Sequence, residues 1–169
     1  RTIDGNKIYE EDSYYYEWFM YKSDGLFVTD ADLYDSEGNK YPTLTANDKA
    51  GNIKYVDVNG DGVINSDDRD FKGNPLPDCS MGLTLGFNYK NFDVSAFFQG
   101  VFGNEVYNLT NYLGEFYNQA QYNKNSTILD AWRPDNTDTD IPRVTLDDPN
   151  NNIRPSTYYI HNASFVRLK

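Results

Sequence analysis

The chain has one cysteine, Cys79, and one histidine, His161, in 169 residues. One thiol excludes an intrachain disulfide and a cysteine-built zinc site, and one imidazole removes most histidine-based catalytic arrangements. Basic residues are scarce too: 15 Lys and Arg face 26 Asp and Glu, a net charge of -11. A surface of that sign repels phosphates, so no nucleic acid is expected as a partner. No spacing among the carboxylates singles out an acid/base couple, and the chain is not read as an enzyme. The start, Arg1-Thr2-Ile3-Asp4-Gly5, has no apolar run behind a basic stretch and is not read as a secretory leader. No segment approaches the roughly 20 apolar residues of a membrane helix. Strands that cross as a β-barrel alternate in polarity and escape that criterion.

What the chain does have is aromatic: 15 Tyr, 10 Phe and 2 Trp, at a mean hydropathy of -0.75. Many rings in a polar sequence suggest β structure with long solvated loops. The dense run Tyr14-Tyr15-Tyr16-Glu17-Trp18-Phe19-Met20-Tyr21 has strand propensity, whereas residues 1–13 read as polar and turn-like.

The most specific motif is Asp57-Val58-Asn59-Gly60-Asp61-Gly62-Val63-Ile64-Asn65-Ser66-Asp67-Asp68. Read as a loop, it puts oxygen side chains at positions 1, 3, 5, 9 and 12, glycine at 6 and an apolar residue at 8. That spacing wraps a hard cation in one turn. The expected calcium ligands are Asp57, Asn59, Asp61, the Val63 carbonyl, Asn65 and Asp68. Asp68 replaces the usual bidentate Glu and no amphipathic helix precedes the loop, so a static calcium clip fits better than a switch. The plain alternative is an ion-free turn, since Asp, Asn and Gly favour turns by themselves.

Residues 79–102 carry the clearest alternation. Cys79, Met81, Leu83, Leu85, Phe87 and Tyr89 share one strand face, opposite Ser80, Gly82, Thr84, Gly86 and Asn88. After Lys90-Asn91 the apolar face resumes at Phe92, Val94, Ala96 and Phe98. Two strands of about ten residues joined by a two-residue turn are long enough to cross a bilayer when tilted. A soluble sandwich would show the same alternation. The connections favour the membrane: a minimal turn at one end, loop-rich stretches of about 50 residues at the other, as in outer-membrane barrels.

Between Gly103 and Pro155 lie aromatics among many Asn and Gln residues, and Tyr112, Tyr117 and Trp132 are candidate ligand-binding side chains. Rings of this kind stack on sugars while amides bond hydroxyls. They also pack polar loops internally.

The order Ile53-Lys54-Tyr55-Val56-Asp57-Val58-Asn59-Gly60-Asp61-Gly62-Val63-Ile64, then Gly73-Asn74-Pro75-Leu76-Pro77, then Phe92-Asp93-Val94-Ser95-Ala96-Phe97-Phe98-Gln99-Gly100 resembles SusC/RagA-type TonB-linked outer-membrane transporters. So do Gly103-Asn104, Trp132-Arg133-Pro134-Asp135-Asn136, Thr139-Asp140-Ile141-Pro142-Arg143 and the closing Asn162-Ala163-Ser164-Phe165-Val166-Arg167-Leu168-Lys169. The resemblance runs over about residues 14–169. It implies an all-β fold, an antiparallel transmembrane β-barrel segment with long extracellular loops, part of about 22 strands. It further implies TonB-driven import of glycans or peptides across the Gram-negative outer membrane, with a SusD-like lipoprotein as partner and the TonB complex engaged elsewhere. Too few strands are present to close a barrel, so the chain is expected to be a C-terminal-proximal piece of a longer protein. The competing reading is a secreted or cell-surface β-domain, stabilised by calcium, that binds carbohydrate.

On the barrel reading, 1–28 is a strand end and the start of a loop, and 29–77 an extracellular loop with the cation motif. A transmembrane hairpin follows at 78–103 with its periplasmic turn at 90–91. Residues 104–156 form a second long loop, and 157–169 begin the next strand.

Overall fold

The computed structural model describes residues 2–11, 13–115 and 123–169, with the backbone alone for Phe71 and Lys72. Its contacts divide into two compact units, one of Arg1–Trp18, Lys72–Tyr107 and Ile160–Lys169, the other of Phe19–Phe71 and Asn108–Tyr159.

In the first unit, β1 (Thr2–Asp4) and β2 (Lys7–Tyr9) form a hairpin around Gly5-Asn6, and Lys7 and Ile8 pair antiparallel with Trp18 and Glu17 of β3 (Glu17–Tyr21). This corrects the turn-like reading of residues 1–13. Lys7 and Trp18 are directly opposite, and the Lys7 ammonium lies 4.5 Å from the Tyr16 ring centroid and 5.3 Å from that of Trp18.

The main feature of this unit is the pair β7 (Cys79–Tyr89) and β8 (Phe92–Phe102), which follow β4 (Ser23–Leu26), β5 (Ile53–Tyr55) and β6 (Arg69–Gly73) in the chain. Their antiparallel register runs unbroken from Tyr89↔Phe92 to Cys79↔Phe102, with Lys90 at the turn in the left-handed region at φ 54°. Strand β11 (Phe165–Leu168) pairs with the far edge of β8, placing Val166 opposite Gly100 and Leu168 opposite Phe98. Since successive side chains alternate between faces, Met81, Leu83, Leu85, Phe98, Val166 and Leu168 share one face. Two glycines fit rings: a Cβ on Gly82 would stand 3.1 Å from the Phe97 ring, and one on Gly100 2.7 Å from Phe102. Strand β9 (Glu105–Tyr107) pairs with β10 (Ile160–Asn162).

In the second unit, β4 and β5 pair antiparallel across the intervening loop, with an irregularity between Ser23 and Leu26. One apolar cluster joins Tyr21, Ile53, Tyr55 and Ile64, with Leu26, Leu44 and Tyr158 against it, and Phe19, Met20, Phe27, Leu33, Ala50, Ala131 and Tyr159 are buried as well. Polar side chains share the interior, with Asn52, Asn150, Asn152, Asp68 and Ser156 all at most 1% exposed. Among the described residues helix is confined to short 3-10 turns and the six-residue α1 (Leu109–Gly114). Among the described residues no helix is long and apolar enough to cross a membrane.

Candidate functional site

The loop Asp57–Asp68 is built from side-chain oxygens that capture its own backbone amides. The Asp57 carboxylate accepts from Gly60 N–H at 2.7 Å and Gly62 N–H at 2.8 Å, and these bonds hold it below the usual carboxylate range. Asn59 Oδ1 accepts from Asp61 N–H and Asp61 Oδ1 from Val63 N–H, each at 2.9 Å. Gly60 and Gly62 adopt φ 74° and 83°, a left-handed backbone that side chains disfavour. Ile64, at the apolar position, is buried in the small core and anchors the turn.

Asp68 is fully buried. Its Oδ1 accepts from Val58 N–H at 2.9 Å and its Oδ2 from Asn65 N–H at 2.7 Å, so it joins the two ends of the loop. Asn65 caps the following 3-10 turn by accepting from Asp67 N–H. The Asp57 carboxylate lies beside that of Asp68. Asp61 is tied instead to Asn59 Nδ2 at 3.0 Å. Among the described residues no three Asp, Glu, His or Cys side chains gather as a metal-ligating group. A cation here would therefore draw on the mixed set of carboxylates, amides and the Val63 carbonyl. Two adjacent carboxylates in an all-oxygen set fit a hard divalent ion.

The candidate ligand-binding aromatics have packing contacts. Trp132 Nε1–H donates to Val28 O at 3.1 Å, Trp132 N–H donates to Ile141 O at 2.8 Å, and the indole ring fills the space that a Gly51 side chain would need. The Tyr112 ring meets Tyr159 edge-on at 5.4 Å. Tyr117 lies outside the described residues.

The hairpin is different: its apolar face is open. Met81, Leu83 and Leu85 are 53–54% exposed, Val94 58% and Phe92 71%. With β11 this makes a sheet whose apolar band is exposed among the described residues. A soluble sandwich buries such a face; a barrel wall turns it to lipid.

No protein-family profile matches the chain. TonB-dependent receptor P26 of Formosa agariphila is 41% identical over 135 residues, covering 80% of this chain and 13% of that receptor. TonB-dependent receptor SusC of Bacteroides thetaiotaomicron is 33% identical over 113 residues, 67% of this chain and 10% of SusC. The chain belongs to the SusC-like TonB-dependent receptors. It spans about an eighth of the length of the curated relatives it matches. In fold it is similar to the RagAB peptide importer in its open-open state, at TM-score 0.63 and 24% identity, covering all of this chain and 16% of that one. A structure of the RagAB peptide transporter gives TM-score 0.56 over 97% of this chain and 17% of that one. This TonB-dependent receptor segment is all-β, a piece of an outer-membrane barrel.

Sequence reasoning found the loop and the hairpin through fixed spacing. It missed the work of Gly51, at φ 84°, whose N–H donates to Phe27 O and whose O accepts from Arg143 N–H at 2.8 Å. No short-range signal marks a glycine needed by a ring 81 residues away.

Proposed function

We propose that this chain supplies part of the wall and the extracellular loops of a TonB-dependent importer of glycans or peptides that works with a SusD-like surface lipoprotein. The observation that carries the reading is the open apolar band on β7, β8 and β11, together with the kinship to SusC-like receptors. The minimal turn at Lys90-Asn91 faces the periplasm, and the stretches 29–77 and 104–156 lie outside the cell. TonB engages parts of the receptor beyond this chain. No catalytic step is assigned to it.

Calcium in the loop is part of the same proposal. Asp57, Asn59, Asp61, the Val63 carbonyl, Asn65 and Asp68 would hold the ion, which would supply positive charge beside the Asp57–Asp68 pair. Its role is structural, closing a long loop where extracellular calcium is plentiful. A sugar-stacking role for Tyr112, Tyr117 and Trp132 has less support, given the packing contacts of Tyr112 and Trp132.

The test uses the intact receptor. It should fractionate with outer membranes, need detergent for release, and retain a surface lipoprotein through affinity purification. Cells lacking it should lose uptake of one glycan or peptide class supplied as sole nutrient. Recovery of the intact protein in buffer without detergent would refute the wall assignment and favour a soluble carbohydrate-binding domain.

A further inference from the structure

Two stretches far apart in sequence, 44–56 and 147–156, meet in the second unit along a polar seam. Ile53 N–H donates to Asn152 Oδ1 at 3.0 Å, and Asn152 Nδ2 donates to Asn52 Oδ1 at 3.2 Å. Thr45 Oγ1 donates to Asn150 Oδ1, and the Tyr55 hydroxyl to Asn151 O, each at 3.4 Å. Two carboxylates are buried within these stretches, Asp48 at 7% exposure and Asp148 at 8%.

Their surroundings differ. Asp148 accepts from Asn152 N–H and Ile153 N–H, both at 2.9 Å, on a backbone turned to φ 40°. Asp48 is helped by the amides of Leu44 and Thr45 and by the charge of Lys40, and is opposed by burial and by the charge of Asp148. Tyr55 also feels both carboxylates and Arg154. The Arg154 guanidinium is engaged elsewhere, donating to the Tyr21 hydroxyl at 2.9 Å and lying over that ring. Burial, with Asp148 adding to it, pushes the Asp48 carboxyl up from 3.8 to about 6.

We propose that the seam between 44–56 and 147–156 is an acid-tightened latch, in which a proton on Asp48 removes one of the two charges buried within these stretches and closes them on each other. The sign follows from linkage. A carboxyl raised in the closed state stabilises that state fully below its ordinary value, and the stabilisation is lost as pH rises through about 6. Between pH 7.5 and pH 5 closure tightens about tenfold. The latch depends on no assumption about cargo, calcium or transport.

Hydrogen exchange on the intact receptor in detergent tests it, read as protection factors corrected for the intrinsic pH dependence of exchange. From pH 5 to pH 7.5, protection in 44–56 and 147–156 should fall about tenfold, while 79–102 stays level. Asp48→Asn should hold the seam at its acid-state protection across the range. Lys40→Met, which removes the cation opposing protonation, should move the wild-type midpoint upward. A seam whose protection does not change with pH, or a transition that survives Asp48→Asn unchanged, overturns the proposal. The wild-type profile and Lys40→Met keep the test decisive if Asp48→Asn fails to fold.

Discussion

Leu85→Arg puts the lipid-facing assignment at risk most directly. Leu85 lies one residue past the centre of β7, opposite Ala96, and is 53% exposed on the apolar face. Eleven residues at roughly 3.4 Å each give a strand of about 37 Å. Tilted by about 40°, it stands about 28 Å tall and matches the hydrocarbon core. Leu85 therefore sits within a few ångströms of the midplane, too deep for an arginine to reach either interface without cost. A midplane arginine on a barrel's lipid face costs about 2–4 kcal/mol, and losing the leucine's contact with lipid adds about 1 kcal/mol. The sum, about 3–5 kcal/mol, is roughly a 150- to 4000-fold loss in the folding equilibrium. Thr84→Arg, one residue away on the opposite face, should cost less than about 1 kcal/mol because that face meets the barrel interior. Both variants of the intact receptor would be compared by denaturant titration after refolding into vesicles, and by outer-membrane abundance in cells. If they were equally tolerated, or if Thr84→Arg proved the worse, the assignment of faces would be wrong.

Gly51→Ala should loosen the second unit by about 2–4 kcal/mol, since φ is 84° and the new Cβ would overlap the Trp132 ring. Gly38→Ala, also at φ 84° but in open space, should cost only about 1 kcal/mol; limited proteolysis of the loops separates the two. Asp57→Ala with Asp61→Ala should abolish bound calcium measured by elemental analysis of the purified receptor, and unchanged ion content would exclude the loop as its site. Asp68→Asn removes a buried charge acceptor for the Val58 and Asn65 amides and should destabilise the loop by about 1–3 kcal/mol, read as faster hydrogen exchange at those two amides.

The hairpin was legible because a two-residue period sustained from Cys79 to Phe102 has few other physical meanings, and it paired without a bulge. The alternation alone did not reveal its exposure, because a sandwich and a barrel wall impose the same pattern. The minimal turn at Lys90-Asn91 and the long loops at the other end tipped the reading to a barrel. The β1–β2 hairpin escaped because three-residue strands around Gly5-Asn6 are too short to establish a period. The second unit escaped for another reason. Its interior depends on amide-to-amide and amide-to-backbone pairings such as Asn152 with Asn52 and Ile53, which leave no periodic trace. Trp132 looked like a binding residue because an aromatic in a polar loop is ambiguous until its neighbour Gly51 is known.

These polar pairings bear on what the proposed ion would contribute to the loop. Ordering a backbone costs about 1–2 kcal/mol per residue, and the second unit sets against it the apolar cluster around Tyr21, Ile53, Tyr55 and Ile64 together with the buried Phe19, Met20, Phe27, Leu33 and Tyr159. The rest must come from satisfied polar contacts, which are net-favourable by only about 1 kcal/mol each. Asp68 adds a burden, since a fully buried carboxylate loses its hydration and has three backbone amides in return, those of Val58, Asn59 and Asn65. Asp57 stands beside it, itself held by the Gly60 and Gly62 amides. Backbone amides can orient both carboxylates but bring no net positive charge. The proposed divalent cation would supply that charge, and the Asp57–Asp68 pair is where it would stabilise the loop most.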